Sequence, residues 1–146
     1  MLQCFTNLLY HIVFPTKDCE RLITPIYEPR IYEYITSTIS RADGMLLSIN
    51  GAEDHVHVLA RLSPEHALTD ILRDLKWNAS GWMPGIFPEV RDFSWEQGYA
   101  AFTVNELDLE GLRQYLQCQK EYHQYVSFKQ ELIELLQANG LECGEQ

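Results

Sequence analysis

Hydrophobic and polar positions alternate with period two over Glu53–Leu62, so that Val56, Val58 and Ala60 face one way and His55, His57 and Leu59 the other. This is the pattern of a strand, and it puts two imidazoles on one face. Upstream, Leu2 to Phe14 is rich in aromatic and β-branched residues and stops at Pro15, which predicts a central strand. Pro25 and Pro29 then bracket a helix start. Ile31, Tyr34, Ile35, Thr38 and Ile39 follow with the i, i+3, i+4 spacing of one buried helical face, ending at Gly44. Gly44–Asn50 reads as a second strand, with Asn50-Gly51 as the turn into the histidine strand.

After Ser63-Pro64, Leu68, Ile71, Leu72, Leu75 and Trp82 mark another amphipathic helix. A broken polar stretch through Gly81, Pro84, Gly85 and Pro88 reads as a mobile loop. Phe93–Trp95 and Tyr99–Val104 are short strand candidates about a Gln97-Gly98 turn. Asn105 is a helix N-cap with Asp108 three residues on, and the helix it opens runs through Leu109, Leu112, Tyr115, Leu116, Gln119 and Tyr122 to Tyr125 or Val126. A last helix spans Phe128 to Asn139 and closes at Gly140. The order β-α-β-β-α-β-α predicts an α+β fold, a ferredoxin-like antiparallel sheet with helices packed on it and a C-terminal helix carrying Tyr115.

The 146 residues, 46% hydrophobic and 12% aromatic, suit one domain over 1–146 with a sizeable core. No apolar run reaches the roughly 20 residues needed to cross a bilayer, and the expected location is the cytoplasm, with no membrane partner. Cys4, Cys19, Cys118 and Cys143 are scattered without a C-x-x-C pair, so free thiols are expected rather than a zinc ribbon or a disulfide framework. The net charge of -10 changes the picture most, because nucleic-acid binders carry a basic footprint. Part of the excess sits in the tail, where Glu121, Glu131, Glu134, Glu142 and Glu145 face a single Lys129. A local basic groove can coexist with a negative whole.

His55 and His57, alternate on a strand, can converge on one metal ion, although a half-buried histidine with one satisfied nitrogen is the commoner use. Tyr115 and Gln119, at i and i+4, share a helix face, where a tyrosine beside leucines is ordinarily core or interface. An amide on that face needs a partner, and a metal is one. His11 and His123 are set apart from the metal set, the first as a packing residue and the second as adjacent to the tyrosine stripe.

The motif Asp54-His55-Val56-His57-Val58-Leu59, the Tyr115-x-x-x-Gln119 helix and the Trp95…Gly98-Tyr99…Val104 block together resemble the small single-tyrosine HUH transposases of bacterial insertion sequences, REP-associated tyrosine transposases among them. Tyr10-His11-Ile12-Val13-Phe14-Pro15-Thr16-Lys17 and Leu75-Lys76 extend the likeness, as do Glu121-Tyr122-His123, Ser127-Phe128 and Glu131. The resemblance implies a divalent cation, Mg²⁺ or Mn²⁺, held by His55, His57 and Gln119. It implies that Tyr115 attacks the scissile phosphate of single-stranded DNA at hairpin-bearing ends, leaving a 5′-phosphotyrosine and a free 3′-hydroxyl. It also implies a homodimer. Cys118 and Tyr122-His123 stand where relatives tend to have Asn and paired histidines. Lys17, Arg61, Arg73, Lys76 and Arg91 are the candidate phosphate contacts, each equally readable as a solvated charge. Two other readings compete: a noncatalytic hairpin-binding protein derived from such a transposase, favoured by the acidic charge, and a histidine-triad phosphohydrolase, disfavoured by Leu59.

Overall fold

A computed structural model describes residues 3–76 and 93–144. Four strands form an antiparallel sheet in the order β2-β3-β1-β4: β1 is Leu8–Pro15, β2 Met45–Ala52, β3 His55–Leu62 and β4 Ala100–Thr103. The α+β sheet-and-helix architecture expected above is the one observed. Because β1 and β3 pair along their whole length, with Val13 opposite His57 and His11 opposite Leu59, the histidines sit mid-sheet.

Period-two alternation gives the sheet two unlike faces. Ile12, Phe14, Val56, Val58, Ala60 and Leu62 point to one side. There they meet Ile31, Ile35 and Ile39 of α1 (Glu28–Arg41) and Ile71, Leu72 and Leu75 of α2 (residues 68–76). Each Val, Leu, Ile or Phe among them contributes about 1.5–3 kcal/mol through burial. Pro29 lies in the first turn of α1, as expected. The helix stops by a different device from the one expected: Asp43 takes the left-handed conformation (φ 60°), and the Gly44 amide donates to Ile39 O at 2.9 Å. Gly44 is needed there for space, since a Cβ would lie 2.9 Å from Ile39 Cγ2.

The Asn50-Gly51 pair is not the hairpin turn. Both residues are in β2, opposite His57 and Val56, and the chain reverses at Glu53-Asp54. Gly51 serves close approach instead, because a Cβ would come within 2.2 Å of the His55 carbonyl oxygen. The Phe93–Trp95 strand is also corrected: Trp95 makes only an isolated bridge to Thr16 and packs edge-on against Phe14. Trp82 and the expected loop lie outside the described residues.

The C-terminal third covers the other face. Asn105 caps a short 3-10 turn, Glu106–Asp108, its side chain accepting from the Leu107 amide. The single long helix expected from Leu109 onward is two: α3 (Leu109–Gln117) and α4 (Gln119–Tyr122), broken at Cys118 (φ -94°, ψ 9°). The last helix, α5 (Phe128–Ala138), is capped by Ser127 and ends before Gly140, whose φ is +72°. Phe128, Leu132, Leu135 and Leu136 pack on Val13 and Phe102. Asn50 ties the break in α3 to the sheet by donating to Leu116 O at 2.7 Å. Lys120 of α4 donates to Asn50 Oδ1 and Gly51 O. No helix among the described residues is long and apolar enough to cross a membrane, and all four cysteines are free and exposed.

Candidate metal and nucleophile site

His55 and His57 leave the middle of β3 toward α3–α5 and are fully buried. Above them α5 lowers Glu131, α4 brings Gln119 and the turn after α4 brings His123. These three are buried or nearly so. Ligand-capable atoms of His55, His57, His123 and Glu131 lie within 4.8 Å of one another.

Each imidazole is anchored on its outer nitrogen and presents Nε2 to a common centre. His55 Nδ1 lies 2.7 Å from Asp54 Oδ1, His57 Nδ1 2.8 Å from His11 Nε2 and His123 Nδ1 2.7 Å from Val126 O. At the centre, Glu131 Oε1 is 2.9 Å from His57 Nε2, 3.0 Å from His123 Nε2 and 3.3 Å from His55 Nε2. Gln119 Oε1 is 3.0 Å from both His55 Nε2 and His123 Nε2. An outer hydrogen bond that orients a ring while its other nitrogen faces inward is how metal-ligating histidines are held.

A carbonyl and a carboxylate only accept, so His123 Nδ1 and His55 Nδ1 both carry a hydrogen. The Gln119 amide nitrogen donates to Glu131 Oε2 at 2.7 Å, which turns its oxygen to the rings. Nε2 of both rings therefore faces only acceptors, Gln119 Oε1 and Glu131 Oε1. Either a second proton on each ring or a cation among them is required. The donor set fits a divalent ion.

Electrostatics follow from burial and these contacts. Burial acts to raise the Glu131 pKa, but hydrogen bonds from His123, His55 and His57 outweigh it and hold the carboxyl well below the usual range. Burial also acts to lower His55, yet its bonds to Asp54 and Glu131 leave it raised. Burial dominates at His57, which is lowered. His11, behind His57, is held down to about 3 by burial and by the neighbouring His57. Phe128 closes one side, stacked on His55 at 4.3 Å.

Tyr115, in the last turns of α3, donates its hydroxyl to Glu131 Oε2. Burial, then that carboxylate, push the phenol above its ordinary pKa, so it is neutral at rest. Tyr122 stands outside, its hydroxyl 3.3 Å from Glu134 Oε2.

Residues 4–119 match the family of IS200-like transposases. The chain belongs to that family. This IS200-like transposase is 19% identical over 120 residues to the ISDra2 transposase TnpA of Deinococcus radiodurans, covering 79% of this chain and 86% of that one. Its fold is similar to a crystal structure described as a transposase from the same organism (TM-score 0.67, 21% identity, 82% and 95% of the two chains). It is similar also to the REP-associated tyrosine transposase bound to a REP hairpin (TM-score 0.63, 10% identity, 99% and 91%).

Of the residues singled out from sequence, the transposase brings His55, His57, Gln119 and Tyr115 into one cluster. The basic residues are dispersed. Lys17 is exposed on a 3-10 turn, Arg61 donates to Asn7 at 2.9 Å and Arg73 pairs with Asp70 at 2.8 Å. Lys76 gives its three hydrogens to the carbonyls of Glu96, Gln97 and Gly98, and burial lowers it to about 8. Arg91 lies outside the described residues. His123, set apart from the metal set in the sequence, joins the cluster together with Glu131, and Asp54 anchors His55 from outside it. One signal was present for each of the first two. His123 continues the i, i+4, i+8 stripe of Tyr115 and Gln119, and Glu131 is a carboxylate on the apolar stripe of Phe128, Leu132 and Leu135.

Proposed function

We propose that this IS200-like transposase cleaves and rejoins single-stranded DNA at hairpin-bearing ends in the cytoplasm, through a 5′-phosphotyrosine on Tyr115. The observation that carries the reading is one carboxylate, Glu131, bound on one oxygen to the histidine cluster and on the other to the Tyr115 hydroxyl. His55, His57 and Gln119 would hold a divalent cation, Mg²⁺ or Mn²⁺, which supplies Lewis-acid polarisation of the scissile phosphate. Glu131 is a weak proton acceptor because the histidines hold it so acidic. It orients the Tyr115 oxygen for in-line attack on phosphorus, as bond formation from a fixed near-attack position requires. The 3′-oxygen leaves and takes up a proton, balancing the one that the Tyr115 hydroxyl gives up, and the phosphotyrosine ester conserves the bond for rejoining.

A cavity of about 340 Å³ opens beside Asp54 and His123 and is lined further by Arg21, Glu28, Lys120 and Ser127. Tyr115 meets Glu131 within one chain, and the protein is read as acting as a homodimer. The test is incubation with 5′- and 3′-labelled hairpin oligonucleotides, with Mg²⁺ or Mn²⁺ and with EDTA. A metal-dependent nick with a free 3′-hydroxyl and protein on the 5′ end is expected. Hairpin binding without a nick under any metal would overturn the enzymatic reading in favour of a noncatalytic binder.

A further inference from the structure

We propose that His123 and Glu131 are themselves metal ligands, and that the resulting set of three imidazoles, a carboxylate and an amide oxygen selects a first-row transition ion such as Mn²⁺ over Mg²⁺. This deepens the metal-centre reading above and rests on it. Both added residues lie beyond residue 119, where the family match ends. The H-x-H and Tyr-x-x-x-Gln motifs do not include them.

Three observations converge. Glu131 Oε1 sits 2.9–3.3 Å from Nε2 of all three histidines, so one small shift places those nitrogens and that oxygen around a single ion. The Val126 carbonyl and the Asp54 carboxylate fix Nδ1–H on His123 and His55, which aims both inner lone pairs at the centre. Glu131 is 1% exposed and Gln119 0%, so the oxygens cannot turn to water for partners.

Donor chemistry then sets the ion. Imidazole nitrogens suit transition ions, whereas Mg²⁺ demands oxygen ligands in near-ideal octahedral geometry and retains several waters. Phe128 stacks on His55 and Tyr115 stands edge-on to His57, so apolar ring faces rather than oxygen ligands flank these two imidazoles. Tyr115, hydrogen-bonded to the second oxygen of Glu131, is thereby tied to the ion's position through one side chain.

The test uses EDTA-stripped full-length protein without DNA, titrated with Mn²⁺ and Mg²⁺ by calorimetry, with Mn²⁺ also followed by electron paramagnetic resonance. One Mn²⁺ per chain is expected, bound at least about tenfold more tightly than Mg²⁺. His123→Ala and Glu131→Gln should each weaken Mn²⁺ by about tenfold or more and narrow the Mn²⁺/Mg²⁺ ratio. Circular dichroism and thermal melts control for folding. His123, at the mouth of the cluster, carries the test if the Glu131 variant fails to fold. Equal affinity for the two ions, Mn²⁺ binding unchanged in His123→Ala, or no binding of either ion would overturn the proposal. A metal-dependent nick by a protein that fails these criteria would overturn this ligand set and leave the nicking reading intact. Selective Mn²⁺ binding without a nick would do the reverse.

Discussion

The two faces of one strand, β3, show how differently the same backbone can be used. Val56, Val58, Ala60 and Leu62 enter an aliphatic core under α1 and α2, where any close-packed arrangement of similar volume would serve. His55 and His57, one residue out of phase with them, enter a buried layer under α3–α5 whose inward-facing polar atoms meet one another. The first face derives its stability from area removed from water. The second gains little from area, and its integrity depends on which atoms carry protons or surround an ion. Fold and site are thus separable by substitution although they share a strand.

The largest contrast is expected between His55→Ala and Ile35→Ala. His55→Ala should lower metal-dependent cleavage by roughly a hundredfold or more, since Lewis-acid stabilisation is worth several kcal/mol at about 1.4 kcal/mol per tenfold. Ile35→Ala, at a fully buried α1 position, should cost about 2–5 kcal/mol in urea unfolding yet leave cleavage per folded molecule unchanged. Equal activity losses in the two variants would collapse the distinction between the faces.

Ion removal sharpens it next. Saturation with Mn²⁺ at about a hundred times its dissociation constant should stabilise the protein by about 2.7 kcal/mol, read as a raised melting temperature that EDTA reverses. The increment should survive in a moderately destabilised core variant and disappear in His57→Ala.

Acid should separate the faces again, by a smaller amount. His11 stays neutral in the folded chain down to about 3, whereas an unfolded histidine titrates near 6.5. Between those values the unfolded state binds more protons, so stability rises with pH and is lost as pH falls below about 6.5. Glu131, held acidic by its histidines, adds loss in the same direction below the ordinary carboxylate range. His55, raised, opposes it. In EDTA, His11→Phe should flatten the decline between about pH 6.5 and 4 in chemical unfolding. An unchanged slope would mean that His11 is not held neutral.

The smallest effect belongs to the tether. Asn50→Ala removes the bond to Leu116 O and should cost about 1 kcal/mol. A drop in cleavage beyond that stability loss would show that β2 holds α3, and hence Tyr115, in place.

The aliphatic face was legible because period two in β3 and 3.6 in α1 are written in residue type. The histidine pair was legible by the same alternation. Asn50-Gly51 misled because a glycine required by the approach of His55 O looks identical, in sequence, to one required by a turn. The break at Cys118 carries neither proline nor glycine, so one long helix was expected. That break sends the chain on to α5, and Glu131 reaches the cluster only through tertiary packing from a separate helix. His123 was readable from its spacing to Gln119, but its anchor, the Val126 carbonyl, depends on the turn after α4.

The most direct test of the central claim is trapping the covalent adduct on a denaturing gel with a suicide hairpin substrate labelled 3′ of the cleavage site and Mn²⁺, comparing the parent with Tyr115→Phe. The parent should form a metal-dependent protein–DNA band. The Tyr115→Phe protein should form none while binding Mn²⁺ with unchanged stoichiometry. An adduct that persists in Tyr115→Phe would place the nucleophile elsewhere, with Tyr122 next in reach, and would contradict the role of Tyr115.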